Sequence, residues 1–228
     1  MGPETRNNAV ILVQSDPEQP DTDIMAQNQE KQPTVFIVDD DPAIRFAMQA
    51  LMDSVNMDHE IYASGDEFLN SVDDHRAGCL VLDIRMPGLG GLELQEELIK
   101  HGSTMPIIFI TGHGDVPMAV DAMQKGAVDF IQKPFRDQDL LDRIREALKT
   151  DQERRQEQQK HAEVAERLDR LTNREREVFD LVVTGKPNKV IAYELGVSQR
   201  TVEIHRARVM EKMQARSLAD LVKMHMTA

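Results

Sequence analysis

The stretch CLVLDIRMPG, residues 79–88, is an apolar run that ends on a carboxylate. Cys79 to Leu82 predict a short strand buried on both faces, because their apolar side chains follow one another without alternation. Asp83 then stands where such a strand leaves the core. A buried strand that presents an acid at its carboxyl end indicates a site for chemistry as well as a fold.

The sequence on both sides of this stretch alternates between apolar runs and helical patterns. The other strands are predicted at 35–38, 59–62, 106–110 and 128–131. Helices are predicted over 43–52 (with Ile44, Ala47, Met48 and Leu51 as its apolar stripe), from the Ser64 cap to Leu69, and over 90–100, 116–125 and 136–149. Five strands alternating with five helices predict a flavodoxin-like, doubly wound (βα)5 α/β fold, with a parallel sheet covered on both faces.

The second half of the chain is predicted to be helical throughout. Residues 149–165 are polar and contain no helix breaker, which indicates a solvated helical linker or, alternatively, a short coiled-coil seam. A capping box at Thr172-x-x-Glu175 opens the next helix. Three more helices are predicted over 189–195, from Ser198 to about 213, and from Ser217 onward. These four helices predict a separate all-α domain.

Charge divides the chain in the same way. The net charge is −13, yet residues 166–228 hold 12 Lys and Arg against 9 Asp and Glu, while the remainder holds 15 against 31. An acidic domain joined to a mildly basic one indicates two different tasks. The predicted division is a disordered tail over 1–33, an α/β domain over 34–150, a polar helical linker over 151–165 and a basic domain over 166–228.

Composition argues against several classes of protein. The single cysteine, Cys79, leaves no partner for an intrachain disulfide, so a reducing cytoplasm is the simplest setting. No apolar run approaches the ~18 residues of a membrane span or the ~7–15 residues of a signal-peptide core. The seven histidines and the cysteine show no zinc-binding spacing.

Chemically able side chains follow the predicted strands of the first domain. Asp39 and Asp40 follow the first strand, Asp83 the third, Thr111 the fourth and Lys133 the fifth. Because ligands of doubly wound sheets bind beyond the carboxyl ends of the strands, these groups are expected to share one pocket. Close carboxylates repel one another, and Mg²⁺ would relieve that repulsion. A carboxylate beside a metal and a lysine can attack phosphorus and form an acyl phosphate. Each strand-end acid taken alone is more often a helix cap or a solvated loop charge, and it is the combination that favours a site.

The segments VFIVDDDP (35–42), VLDIRMPGLGGLEL (81–94), IFITGHGDVPMAV (108–120) and GAVDFIQKPF (126–135) resemble the receiver domain of two-component response regulators of the FixJ branch. The resemblance covers about residues 34–150. It implies that Asp83 accepts a phosphoryl group and that Lys133 contacts that group, next to a cis Lys133–Pro134 peptide. It implies Mg²⁺ as the cofactor, with these ligands: Asp39, Asp40, Asp83 and the backbone carbonyl of Arg85.

The same resemblance implies a switch. Thr111 and Phe130 correspond to a pair in which the hydroxyl moves toward the phosphate and the ring fills the vacated space, although core packing is the ordinary role of such a ring. The face formed by the helix at 116–125 and the strand at 128–131 is the one that pairs two receivers in this family. Met118, Val120 and Met123 lie on or near that helix and are interpreted first as core residues.

The stretch NKVIAYELGVSQRTVEIHRARVMEKM, residues 188–213, predicts a helix-turn-helix. Its small core is expected to consist of Ile191, Leu195, Val197, Val202 and Val209, with Gly196 in the turn. The second helix is predicted to contact bases through Arg200, Glu203, Arg206 and Ala207. Predicted phosphate contacts of the motif are Lys189, Thr201, Arg208 and Lys212, and Ser198 stands at the start of the second helix. An ordinary helical hairpin with solvated charges is the alternative.

Residues 166–228 resemble the LuxR/NarL-type DNA-binding domain. That family often has Lys at the positions of Glu203 and Ala207, so the base preference is expected to differ from that of those relatives. Leu218, Leu221 and Val222 of the last helix are candidate dimer contacts, or they pack on the helix at 172–183.

Together these features predict a phosphorylation-controlled transcription factor. The expected partners are a sensor histidine kinase, double-stranded promoter DNA, a second copy of the chain after phosphorylation, and RNA polymerase. No enzymatic activity beyond autodephosphorylation is expected. Two alternatives stay open. One is an Mg²⁺-dependent phosphohydrolase, although Arg85 stands where haloacid-dehalogenase-like enzymes carry a second carboxylate. The other is a DNA-binding regulator with a passive receiver.

Overall fold

The computed structural model describes residues 33–71, 76–112 and 116–227, so the predicted disordered tail lies outside the described residues except for Pro33. The strands are β1 (Thr34–Val38), β2 (His59–Tyr62), β3 (Gly78–Asp83), β4 (Ile107–Thr111) and β5 (Asp129–Gln132). The first five helices are α1 (Pro42–Ser54), α2 (Gly65–Ser71), α3 (Gly91–Lys100), α4 (Val116–Gln124) and α5 (Asp137–Asp169). They are followed by α6 (Asn173–Val183), α7 (Asn188–Leu195), α8 (Gln199–Lys212) and α9 (Leu218–Thr227).

The five strands form one parallel sheet in the order β2-β1-β3-β4-β5, which confirms the predicted doubly wound fold. The three central strands are buried along their whole length, whereas the edge strands β2 and β5 are partly exposed. Continuous apolar runs were therefore a faithful signal for the strands that are covered on both faces.

Two apolar cores lie on the two faces of the sheet. Phe36 and Val38 of β1 belong to the core under α2, α3 and α4, and Val35 and Ile37 belong to the core under α1 and α5. The division follows from the pleat, because successive side chains of a strand point to opposite faces. The sheet is thereby held from both sides, which fixes the position of its carboxyl edge.

Helix α1 begins as predicted and buries a slightly different stripe. The Asp41 side chain accepts a hydrogen bond from the Ala43 N–H at 2.8 Å, and Pro42 opens the helix. Ala47, however, is exposed, and the fully buried residues are Met48 and Met52. Met48 was predicted to be buried and Met52 was not, so the buried face of the helix is rotated by about one residue from the predicted one.

Helix α5 passes without a break from the core that it shares with α1 to a third core. Its 33 residues extend about 50 Å at 1.5 Å per residue. Leu140, Leu141 and Ile144 pack on the sheet, and Val164 and Leu168 pack on the last four helices. The segment predicted to be a helical linker is thus part of one long helix. The domain boundaries at 150/151 and 165/166 stay predictions.

Within the described residues, no helix combines the length and apolar character needed to cross a membrane.

Candidate functional site: a charged pocket at the sheet edge and a helix-turn-helix surface

Three of the five side chains predicted to share a pocket, those of Asp39, Asp83 and Lys133, meet at the carboxyl edge of the sheet. The Lys133 ammonium lies 2.7 Å from Asp83 Oδ1 and 3.0 Å from Asp39 Oδ2. Asp83 ends β3 and Asp39 follows β1, its hydrogen-bonded neighbour. Because parallel strands end at the same edge, residues 94 positions apart come within one hydrogen bond of each other.

Asp83 is a buried carboxylate that accepts hydrogen bonds from a backbone N–H and from a lysine. Its Oδ2 accepts a hydrogen bond from the Arg85 backbone N–H at 2.9 Å, and its Oδ1 accepts one from Lys133. Burial raises the pKa of Asp83 above the ordinary value of 3.8, the negative charge of Asp39 adds to this, and the bonds from Lys133 and Arg85 oppose it. Burial works against the charge of Lys133, yet its hydrogen bonds to Asp83 and Asp39 leave its pKa above 10.5. Lys133 is therefore a firmly charged ammonium held against both carboxylates.

The acidic loop after β1 is held by a residue that sequence reasoning did not single out. The Arg45 guanidinium donates to the backbone oxygens of Asp39 at 2.7 Å and Asp40 at 2.8 Å. Asp39 is buried and its Oδ1 accepts from the Asp41 N–H at 2.9 Å, whereas Asp40 is exposed. The signal for Arg45 was a cation in the first turn of α1, four residues after the N-cap. Its carbonyl partners become visible only in three dimensions.

Thr111 carries a buried hydroxyl that has no hydrogen-bond partner among the described residues. It is fully buried at the end of β4. The preceding residue, Ile110, pairs with Asp83 in the sheet, so Thr111 lies at the same carboxyl edge as the acidic pocket. Phe130 is half-buried and packs on the core under α4. An unpaired buried hydroxyl costs about 1–3 kcal/mol, and a phosphoryl oxygen would satisfy it.

The donor set of the pocket fits a hard cation only in part. Asp39 and Asp83 offer the carboxylate oxygens that Mg²⁺ prefers, and this ion usually keeps several waters and takes one or two protein carboxylates. Over the described ranges, no three His, Cys, Asp or Glu side chains gather closely enough to ligate one ion together. Asp40 is the predicted ligand that turns outward.

Helices α7 and α8 form the predicted helix-turn-helix. Gly196 adopts a left-handed conformation (φ 66°) that ends α7, and the Ser198 hydroxyl accepts from the Thr201 N–H at 3.1 Å to begin α8. Ile191, Val202 and Val209 are completely buried between the helices, with Leu195 and Val197 packed against them. The predicted small core is confirmed.

Most of the predicted DNA contacts lie on the open surface of this motif. The exposed residues are Lys189, Ser198, Arg200, Glu203, Ala207 and Arg208. Thr201 and Arg206 are half-buried, and Arg206 donates to Asn188 Oδ1 at 3.0 Å, which ties α8 to α7. A cationic face with Arg200 and Arg208 free of ion pairs to other described residues remains available to DNA.

Lys212 has a different environment from the other predicted phosphate contacts. Its ammonium lies 2.6 Å from Glu175 Oε2 and 3.0 Å from the Arg170 carbonyl oxygen. Glu175 is buried and forms the predicted capping box with Thr172. The bond from Lys212, followed by that from the Thr172 N–H, lowers the pKa of Glu175 from 4.5 to about 2. Lys212 thus joins α8 to α6, and this structural role competes with a phosphate contact.

The three candidate dimer contacts of α9 are not equivalent. Leu221 is completely buried in the core of its own domain, Val222 is half-buried, and Leu218 is 37% exposed. Leu221 can reach a partner only if that core opens. Leu218 and Val222 remain candidates.

Two family models match the chain, and residues 146–168 in the middle of α5 lie outside both. Residues 35–145 match the response regulator receiver domain, and residues 169–225 match the bacterial regulatory proteins of the luxR family. Nodulation protein W of Bradyrhizobium diazoefficiens is 48% identical over 193 residues, which is 85% of each chain. The transcriptional regulatory protein FixJ of Azorhizobium caulinodans is 44% identical over 194 residues, covering 85% of this chain and 92% of its own.

Two solved structures extend over both matched regions. The response regulator StyR is 43% identical and aligns with a TM-score of 0.81 over 86% of this chain and all of its own. Full-length FixJ from B. japonicum is 40% identical and aligns with a TM-score of 0.55, over 86% of this chain and 96% of its own. Over the same share of this chain, full-length FixJ superposes less closely than StyR does.

Proposed function

This chain belongs to the two-component response regulators of the FixJ branch, transcriptional regulators that join a receiver domain to a LuxR-type DNA-binding domain, and we propose that phosphorylation of Asp83 by a sensor histidine kinase controls its binding to promoter DNA. The observation that carries the proposal is the ion triad of Asp83, Lys133 and Asp39 at the carboxyl edge of the sheet.

Asp83 has the environment of a phosphoryl acceptor. An Asp83 oxygen attacks phosphorus on the kinase's phosphohistidine, the P–O bond forms, the P–N bond breaks, and the electron pair returns to the imidazole. Lys133, already bonded to Oδ1, then offsets negative charge on the phosphoryl oxygens. The spare Thr111 hydroxyl donates to one of those oxygens.

Mg²⁺ is proposed as the cofactor of this step, since receiver domains of this family typically bind it. Asp39, Asp40, Asp83 and the Arg85 carbonyl would hold it, with water completing its shell. Bound there, the ion supplies positive charge that neutralises the phosphoryl group. The exposed Asp40 leaves a side chain free to turn toward the ion.

The response is proposed to be receiver pairing through the face of α4 and β5. Movement of Thr111 toward the phosphate opens space for Phe130, whose half-buried ring borders this face. Val120 is 48% exposed and Met123 38% exposed on α4, contrary to their interpretation as core residues, whereas Met118 packs inward. The exposed apolar pair is the kind of surface that a second receiver would cover.

Pairing of receivers brings two DNA-binding domains together. α8 would lie in the major groove of each half-site, with Arg200 and Glu203 toward bases and Lys189 and Arg208 toward phosphates. Holding both domains in one dimer raises the effective concentration of the second domain once the first is bound, and so raises the overall affinity for DNA. RNA polymerase is a proposed further partner. A regulator of bacterial promoters works in the cytoplasm, where the DNA is.

Catalysis by the receiver is limited to loss of its own phosphoryl group. A phosphohydrolase that used Asp83 would need a second acid to protonate the leaving group, and the residue two positions on is Arg85. That residue is exposed and contributes its backbone N–H to Asp83. The arrangement favours a phosphorylated signalling state over turnover of a substrate.

The test compares wild type with Asp83→Asn in Mg²⁺, with and without beryllofluoride as a phosphoryl mimic. Solution mass and affinity for a duplex selected from random sequence are measured for both proteins. Beryllofluoride is expected to produce a dimer and tighter DNA binding in wild type only. Equal dimerisation and DNA binding by both proteins without the mimic would overturn the proposal and favour a passive receiver.

A further inference from the structure

Another buried carboxylate lies at the opposite edge of the sheet from the phosphorylation pocket. Asp151 of α5 is 1% exposed, and its Oδ2 accepts a hydrogen bond from the Gly78 backbone N–H at 3.0 Å. Gly78 begins β3 and Asp83 ends it, so about 17 Å of one strand separates the two acids. The helix that leads to the DNA-binding domain is therefore attached to the strand that carries the proposed phosphoryl acceptor.

The Asp151 carboxylate is compensated by cations from its own helix. Arg154 donates to Oδ1 at 2.6 Å and Arg155 Nε donates to Oδ2 at 2.6 Å. The spacings of three and four residues put all three side chains on one face of α5. A buried carboxylate in this position stabilises the attachment only while these partners remain, because an unpaired buried charge is strongly unfavourable.

The network continues from α5 into the sheet. Arg155 also donates to the Arg76 carbonyl oxygen. The Arg76 guanidinium pairs with Glu60 of β2 at 2.6 Å and lies 4.8 Å from the centroid of the Phe36 ring of β1. Together with the Gly78 bond, this connects α5 directly to β3 and, through Arg76, to β2 and β1.

Beyond this attachment α5 is exposed over about two turns. Residues 156–163 are all exposed, and the next buried residue is Val164, in the core of the DNA-binding domain. This stretch is shorter than the roughly 12–15 residues below which an isolated helix is marginal in water. Its side-chain pairs are few and long, such as Gln159 to Glu163 at 3.3 Å. The rod therefore depends on being anchored at both ends.

We propose that Asp151 is a positioning residue that fastens α5 to the receiver, so that receiver pairing sets the distance and helical phase between the two DNA-binding domains. The inference rests on the proposed function, since it requires receivers that pair and domains that bind DNA. Full-length FixJ superposes on this chain less closely than StyR does. In this chain the apolar residues of α5 pack on the sheet first, and the Asp151 network is the last contact before the exposed residues 156–163.

The test uses full-length wild type, Asp151→Asn and the matched control Asp142→Asn. Asp142 is an exposed acid on the same helix that pairs only with side chains of α5, Arg145 and Gln138, among the described residues. Each protein is loaded with beryllofluoride. Its affinity is measured for a duplex with one half-site and for duplexes with two half-sites at spacings stepped through one helical turn.

Wild type and Asp142→Asn are expected to prefer one spacing and to lose about tenfold in affinity half a turn away from it. Asp151→Asn is expected to lose about tenfold at the preferred spacing and to bind all spacings alike, because a hinged rod lowers the effective concentration at any one geometry. Its dimer mass and its single half-site affinity should equal those of wild type. Arg155→Gln, which keeps the Gly78 bond to Asp151, should show the same change at smaller size.

Retention of the wild-type spacing preference by Asp151→Asn would overturn the proposal. So would an equal loss on the single half-site, because the effect would then lie in the DNA-binding domain itself. Failure of wild type to dimerise or to bind DNA more tightly with beryllofluoride would instead refute the proposed function. That outcome is measured on wild type alone, whereas the role of Asp151 is measured on the variant, so the two failures are distinguishable.

Discussion

At the scale of single residues, the pocket contains buried like charges and an unsatisfied hydroxyl, which a metal and a phosphoryl group would stabilise. Asp83 and Asp39 are both buried and share one ammonium, and no described residue bonds to the Thr111 hydroxyl. Such groups destabilise the resting fold and are retained where function needs them. Substitutions here are therefore expected to raise stability and reduce signalling together.

Asp83→Asn is expected to stabilise the receiver at neutral pH. Because the folded-state pKa of Asp83 lies above 3.8, its stabilising contribution is present below pH 3.8 and is lost as pH rises through the folded-state value. Removing the charge should raise the receiver's unfolding midpoint at pH 7 by about 4 °C, the shift expected for about 1 kcal/mol in a domain of this size. Calorimetry without Mg²⁺ at pH 4 and pH 7 measures it. A midpoint difference that failed to grow with pH would contradict the electrostatic cause.

Thr111→Val removes the orphan hydroxyl and nearly keeps the side-chain shape. The free energy of unfolding should rise by about 1 kcal/mol, since an unsatisfied buried donor no longer has to be desolvated. Urea denaturation measures that rise. The same variant should dimerise less in beryllofluoride, because the bond that draws residue 111 toward the phosphate is gone. Lower stability would show that the hydroxyl has a partner in solution.

At the scale of elements, an ion pair joins two helices of the DNA-binding domain in addition to their shared apolar core. Lys212 of α8 bonds to Glu175, which caps α6, and Arg167 of α5 donates to the Met213 carbonyl oxygen at 3.4 Å. The helices also share an apolar core, which provides most of their buried surface. The ion pair instead fixes how α8 is positioned against α6. Titration of Glu175 is the way to measure its contribution.

Glu175→Gln should remove an acid-sensitive part of the stability of this domain. The folded-state pKa of about 2 lies below the ordinary 4.5, so the stabilisation is present above pH 4.5 and is lost as pH falls toward 2. At pH 7 the variant should lose about 1–2 kcal/mol, the range for a lost cap or a charged hydrogen bond. Denaturation followed by spectroscopic signals from residues of the DNA-binding domain measures this loss of stability. Identical acid sensitivity of wild type and variant would contradict this prediction.

Lys212→Gln separates packing from DNA contact. It should destabilise the domain like Glu175→Gln, whereas Lys189→Gln at the exposed start of α7 should leave stability unchanged and reduce DNA affinity and its salt dependence. Salt titrations of DNA binding and urea denaturation distinguish the two. A salt dependence reduced more by Lys212→Gln than by Lys189→Gln would assign Lys212 to phosphate after all.

At the scale of the whole molecule, the end of α5 belongs energetically to the DNA-binding domain. Val164 is 7% exposed and packs with Phe179 and Leu221 in one core, although it stands inside the segment predicted to be a solvated linker. Val164→Ala in the full chain should therefore destabilise that domain by about 1–2 kcal/mol. Hydrogen exchange of α6 amides measures it. Glu157→Ala, on the exposed stretch, is the control and should change nothing.

Periodicity predicted the elements well and their faces less well. The strand-end rule brought Asp39, Asp83 and Lys133 together correctly, because parallel strands share an edge whatever the loops do. Ala47 was assigned to the buried stripe of α1, and Val120 was interpreted as core, but both are exposed. An apolar residue at helical spacing predicts a face only to within about one position, and the neighbouring elements decide the rest.

The sequence by itself determined the two folds, the pocket and the helix-turn-helix, because those depend on local patterns and on the fixed geometry of a parallel sheet. Only the tertiary structure decided the partners of Asp151 and Lys212. Asp151 belongs to a polar run that looks solvated, and Lys212 stands on a helix whose cations look available to DNA. Each finds its partner far along the chain, 73 residues away for Gly78 and 37 for Glu175. Burial of a charge is a property of the packed chain, and no pattern of neighbouring residues specifies it.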